Sequence, residues 1–135
     1  MKYKKLHVKR NYKGNDWCRR IRKLKRSGVI LSKVYGKVGK EELEAARRII
    51  RNKALKKGRL LIRIKPSIFL TKKPAQVRMG KGKGRIYSHV AFVRPGKVLF
   101  ELQGLSKKNS DRALLCGSKK LSLPVAVKYW EEMYK

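Results

Sequence analysis

The chain has 135 residues, with 39 Lys and Arg against 8 Asp and Glu and a formal charge of +31 at pH 7. That length suits one domain with a modest core, and so one-sided a charge repels itself until a polyanion neutralises it, which points to nucleic acid. The 41% of hydrophobic residues fall in runs far shorter than the roughly 18 apolar residues of a membrane span, so no span is expected.

The start, MKYKKLHVKR, has no apolar stretch behind it and does not read as a secretory signal, and its scarcity of Ser speaks against a transit peptide. Residues 1–28 hold 12 basic side chains and one acidic, with too little recurrent apolar material to define a buried face, so they read as a basic extension that orders on RNA. Its cations, Lys9, Arg10, Lys13, Arg19, Arg20, Arg22 and Lys23, are candidate phosphate contacts. Within it, Trp17, Ile21 and Leu24 have the spacing of one face of a short helix.

Residues 29–135 read as a single α+β domain. VILSKVYGKVG, from Val29 to Gly39, is rich in β-branched residues and predicts a strand followed by a turn. Residues 40–57 predict a helix: Leu43, Ala46, Ile50 and Ala54 recur at helical spacing, Glu41, Glu42 and Glu44 sit where the dipole favours anions, and Gly58 ends it. Its outer cations Arg47, Arg48 and Arg51 are further candidate RNA contacts.

RLLIRIK alternates from Arg59 to Lys65, which predicts a strand with Leu60, Ile62 and Ile64 on one face. Pro66 ends it, and PSIFLTKKP reads as a connection leading to a short strand, AQVRM. RMGKGKG, residues 78–84, then places glycine at every second position with cations between. Beyond it IYSHVAFV predicts a strand, Arg94-Pro95-Gly96-Lys97 a tight turn, and VLFELQG the strand that pairs back. A second helix over 106–120, packing Ala113, Leu114 and Cys116, and a strand from Leu121 to Val127 complete an antiparallel or mixed sheet covered by two helices.

Enzyme chemistry finds little footing. RMGKGKGRIY lacks the hydroxyl after lysine and the following helix of a nucleotide phosphate loop, and its G-x-G-x-G spacing is not a dinucleotide fingerprint. Cys18 and Cys116 lie far apart, with His7 and His89 the only histidines, so neither a zinc spacing nor a disulfide framework is present. No cofactor, metal or small-molecule substrate is expected, and His89 reads as a structural strand residue. What the glycine stretch offers is close backbone approach to phosphate, with charge from Arg78, Lys81, Lys83 and Arg85. Tyr87, Phe92 and Phe100 could serve as stacking platforms, but Phe92 and Phe100 lie in apolar strands and read as core.

Three stretches, EELEAARRII, KPAQVRMGKGKG and VAFVRPGKVLFELQGL, together resemble the bacterial-type large-subunit ribosomal protein sixteen family over roughly residues 29–121. The resemblance implies a hammerhead-like α+β fold and binding to large-subunit rRNA beside neighbouring ribosomal proteins. It also implies that Arg78, Met79, Gly80, Lys81, Gly82, Lys83, Gly84 and Arg85 reach toward tRNA and the peptidyl-transferase region. The segment RIYSHVAF replaces the family's usual acidic and aromatic run, and KKNSDRALLCGSKK is more basic and glycine-interrupted than its usual helix. That drift and the high lysine content suggest an organelle-encoded, mitochondrial copy, the alternative being a bacterial cytoplasmic ribosome. The alternative function is a free basic RNA-binding or chaperone-like protein.

Overall fold

The computed structural model describes residues 27–129. The short helix expected around Trp17, the leader cations Lys9, Arg10, Lys13, Arg19, Arg20, Arg22 and Lys23, and the tail beyond Tyr129 lie outside the described residues.

Among the described residues seven strands form two antiparallel sheets. In chain order the elements are β1 (Ser27–Ser32), β2 (Gly36–Gly39), α1 (Lys40–Lys53), β3 (Arg59–Ile62), β4 (Ile68–Lys72), β5 (Arg85–Val93), β6 (Val98–Gln103), α2 (Lys107–Ser118) and β7 (Val125–Tyr129). The larger sheet runs β3-β6-β1-β7 and the smaller β2-β5-β4. The α+β class is as expected, but two sheets replace the single one.

β1 is buried at all six positions, as an apolar run flanked by β6 and β7 should be. Its Gly28 faces α2: a Cβ there would fall 2.2 Å from Ser110 Oγ. Two turns further along the same face of α2, a Cβ on Gly117 would lie 2.3 Å from Ile50 Cγ1 of α1. Two glycines therefore let one face of α2 seat closely against both the sheet and α1, and Gly117 is a packing residue inside the helix. Along α1, Leu43, Ala46 and Ile50 are buried at spacings of three and four, and Glu41 and Glu42 occupy the first turn. The core joins these side chains to Ile30, Phe100, Leu102, Ala113 and Leu114 of the large-sheet layer and to Val38, Ala91 and Val93 of the small sheet.

Several local expectations are corrected. IFLTK, read as part of a connection, is strand β4, and AQVRM is irregular chain. The expected hairpin across Arg94–Lys97 does not form. The turn itself does, with Lys97 N–H donating to Arg94 O at 3.1 Å and Gly96 at φ 78°, as a proline-glycine turn prefers. Its outer groups bond β1 instead: Gly96 N–H donates to Ser32 O at 2.7 Å and Ser32 N–H to Lys97 O at 3.0 Å. The chain thus passes from β5 in one sheet to β6 in the other. Ile62, expected to share a face with Leu60 and Ile64, is 43% exposed at the end of edge strand β3, while Ile64 beyond the strand is buried. The last strand begins at Val125, four residues after the expected start.

The α2 wedge yields a stability prediction. Gly117→Ala is expected to lower unfolding free energy by about 1–3 kcal/mol through overpacking, and Ile50→Ala by about 2–5 kcal/mol through a cavity. Because the new methyl enters the space Ile50 vacates, the double variant should lose clearly less than the sum in chemical denaturation. Strict additivity would contradict this packing.

Candidate nucleic-acid interface

The glycine stretch lies in the loop 73–84 that joins β4 to β5, so the finger is mounted on a strand pair, although not the pair expected from sequence. The neck closes where Lys72 pairs with Arg85 in the β4–β5 register. A Cβ on Gly84 would lie 2.5 Å from Lys72 O and 2.8 Å from Lys73 N, so only glycine lets the two backbones cross there. Gly80 and Gly82 answer to a different need. Nothing lies within 4 Å of a Cβ built on either, yet their φ values are 92° and 83°, with Lys81 between them at 52°. Three consecutive left-handed residues turn the tip, and the Lys73 ammonium donates to Gly80 O across the loop. The alternating glycines thus split into two tip positions that need the conformation and one neck position that needs the space.

Arg78, Met79, Gly80, Lys81, Gly82 and Lys83 are all exposed, Met79 to 95%. Gly84 is half-buried in the neck, and Arg85 is exposed at the start of β5. The structure therefore brings all eight finger candidates onto one projecting hairpin. From Ala45 to Phe100 the sequence contains no acidic residue, so the finger has no carboxylate of its own hairpin to neutralise it.

Arg47, Arg48 and Arg51 form a second basic surface on α1, and each is engaged. Glu44 accepts from Arg47 Nε at 2.7 Å and from Arg48 Nε at 2.9 Å, while Arg51 donates to Gly58 O at 3.2 Å beyond the helix end. Arg47 first, then Arg48, hold the Glu44 carboxyl down at about 2, against an ordinary 4.5. Glu44 is thus a counter-ion within the arginine face rather than a first-turn acid, a role foreshadowed by its three- and four-residue spacing to the two arginines.

Aromatic exposure also departs from expectation. Phe100 is fully buried, whereas Phe92 is 39% exposed and Tyr87 59%. The parity of β5 explains Phe92: Ala91 and Val93 turn inward, so Phe92 turns outward opposite Lys37. Tyr87 is skipped in the register, which passes from Leu70–Ser88 to Thr71–Ile86. His89 packs edge-on against Phe69, ring centroids 4.8 Å apart. Cys116 is half-buried and free. Among the described residues no three His, Cys, Asp or Glu side chains gather as a metal site, and no helix is long and apolar enough to cross a membrane.

This geometry defines a strongly basic α+β domain presenting an exposed glycine–lysine hairpin. The family model for ribosomal protein L16p/L10e matches residues 1–128. The chain is 36% identical over 125 residues to the large ribosomal subunit protein uL16 of Xylella fastidiosa, covering 93% of this chain and 90% of the relative. It is 44% identical over 92 residues to that of Blochmanniella floridana, covering 68% and 69%, and 45% over 87 residues to that of Mesorhizobium japonicum, covering 64% of each. The chain belongs to the ribosomal protein L16p/L10e family. It is accordingly a structural ribosomal component and not an enzyme.

The Glu44 cluster gives a pH prediction. Because the folded value lies below the unfolded one, the pair's contribution is present above pH 4.5 and is lost as pH falls from there toward 2. Side-chain carboxyl NMR should find Glu44 titrating near 2 in the native protein and near its ordinary value in the Arg47→Gln/Arg48→Gln variant. Titration of the native Glu44 near 4.5 would remove the ion pair from the account.

Proposed function

We propose that this chain is a constituent of the large ribosomal subunit that binds large-subunit rRNA and supports translation by holding its glycine–lysine finger beside tRNA near the peptidyl-transferase region. The carrying observation is the exposed tip Gly80–Gly82, whose left-handed backbone is fixed without packing neighbours. Such a tip lets main chain approach phosphate closely, and Arg78, Lys81, Lys83 and Arg85 supply positive charge around it. Arg47, Arg48 and Arg51, with the leader cations Lys9, Arg10, Lys13, Arg19, Arg20, Arg22 and Lys23, serve as rRNA contacts in the same reading. The rRNA-binding extension expected over residues 1–28 gives up Ser27 and Gly28 to β1, so the single domain expected over 29–135 begins two residues earlier. The relatives, large-subunit proteins by name, support the subunit assignment.

The lysine content and the drift at 85–92 and 107–120 favour a mitochondrial ribosome as its home. Cell fractionation that found the chain in a non-mitochondrial ribosome would overturn that part alone.

Charge and conformation in the finger can be separated by mutation. Binding to an rRNA fragment should weaken about 10³- to 10⁵-fold between roughly 50 and 200 mM salt if about 6–10 phosphates are neutralised. Lys81→Gln/Lys83→Gln should lower the logarithmic salt slope by about one for each phosphate released, whereas Glu44→Gln, which frees two arginines, should raise it. Gly80→Val/Gly82→Val keeps the charge but forbids the tip conformation, so the protein should enter the subunit at full occupancy while tRNA binding falls. Normal tRNA binding by both finger variants at full occupancy, read by quantitative mass spectrometry, would sink the tRNA role.

A further inference from the structure

A cleft of about 390 Å³ lies between the C-terminal end of α1 and the first turns of α2, and no residue of the finger lines it. Its wall carries three cations, Lys53, Lys57 and Arg112, and two amides, Asn52 and Asn109, and no carboxylate is among its described lining residues. Asn109 and Arg112 stand three apart on α2 and so share one helix face. The apolar part of the wall is Ala54, Leu55 and Leu105, of which Ala54 and Leu105 pack into the core.

Leu55 is the unusual member. It is 75% exposed and adopts φ 48°, followed by Lys56 at 59°. The left-handed turn is held by the cap of α1, with Leu55 N–H donating to Asn52 O at 3.0 Å and Lys56 N–H to Arg51 O at 3.2 Å, but the exposure of so large an apolar side chain is not offset by packing among the described residues. Its position is explained if the apolar neighbour it lacks comes from a ligand in the cleft.

Resting on the RNA reading above, we infer that this cleft receives one unstacked nucleotide of rRNA. The base lies against Leu55 and Leu105, the Asn52 and Asn109 amides meet its hydrogen-bonding edge, and Lys53, Lys57 and Arg112 hold the flanking phosphates. Splayed bases with free edges are the usual target of sequence-specific RNA recognition, and an amide offers the paired donor and acceptor that a base edge requires. The volume, near the lower end for small-molecule sites, suits one nucleotide better than a peptide segment.

The test uses the full chain and three changes in exposed residues: Leu55→Gly, Asn52→Ala/Asn109→Ala and Arg112→Gln. Leu55→Gly relieves the backbone strain, so its thermal stability should not fall, yet its affinity for the rRNA fragment should drop about tenfold, the scale of losing one buried aliphatic side chain. Asn52→Ala/Asn109→Ala should weaken binding similarly with an unchanged salt slope, because every phosphate keeps its cation, whereas Arg112→Gln should also lower the slope. In NMR titrations of the wild type, nucleoside 5′-monophosphates should shift Asn52, Leu55, Leu105 and Asn109, and ultraviolet crosslinking of the complex should join a cleft peptide to rRNA.

Each contrary result has a defined meaning. Inorganic phosphate reproducing the whole shift pattern would reduce the cleft to an anion site, and an acidic peptide doing so where nucleotides fail would make it a protein-docking site. Nucleotide shifts without a crosslink, with variants of unchanged RNA affinity, would indicate a free-nucleotide site. All three overturn the inference while leaving the rRNA reading intact. If the wild-type chain fails to bind rRNA, both fall.

Discussion

With 39 cations and only 8 acids in 135 residues, the chain folds against its own repulsion, and the use made of its few carboxylates governs where charge is left over. Glu42 accepts from Ser122 N–H and Oγ at 3.1 and 2.8 Å, tying the start of α1 to the turn before β7. Glu44 is shared by Arg47 and Arg48. Glu101, fully buried in β6, holds Arg63 at 2.5 Å and accepts from the Gln103 amide. These acids serve the fold. None stands in the sequence between Ala45 and Phe100, so the finger's hairpin and the end of α1 contribute cations and no carboxylate.

The scaffold beneath that charge is held by close approaches rather than by a large core. α2 approaches β1 over Gly28 and α1 over Gly117, and the finger's neck crosses at Gly84. At each point a methyl group would have to displace a neighbour, so three glycines hold the elements at separations larger residues would not allow. Gly80 and Gly82 have open space around them and serve the backbone alone. One residue type therefore sets spacing at the base of the finger and conformation at its tip.

What could be read from the sequence follows from what is local. The α1 stripe, its acidic first turn and the Arg94–Lys97 turn are set by neighbours three or four residues apart, and they appear where expected. The α+β class and the exposed finger were legible for the same reason. Strand partners were not: a proline-glycine turn looks the same whether its strands pair or part, and here Ser32, more than sixty positions away, takes the turn's outer hydrogen bonds. The exposure of Phe92 depends on which parity of β5 meets the core, and that is decided by pairing with β2. IFLTK lost its strand reading to the flanking prolines, which lie outside the paired residues. Among the candidate RNA contacts, the residues could be named in advance, but their engagement with Glu44 and Gly58 and the division of labour among the glycines required the structure.

The central claim is that the uncompensated charge is completed by RNA, and the sign of a salt effect on stability tests it most directly. Thermal unfolding of the chain should be followed from low to moderate chloride concentration, alone and bound to a large-subunit rRNA fragment. Screening relieves self-repulsion in the free protein but weakens the RNA linkage that stabilises the bound one. The melting temperature should therefore rise with salt for the free chain and fall for the complex. Salt-insensitive melting in both, or parallel changes of the same sign, would contradict the account.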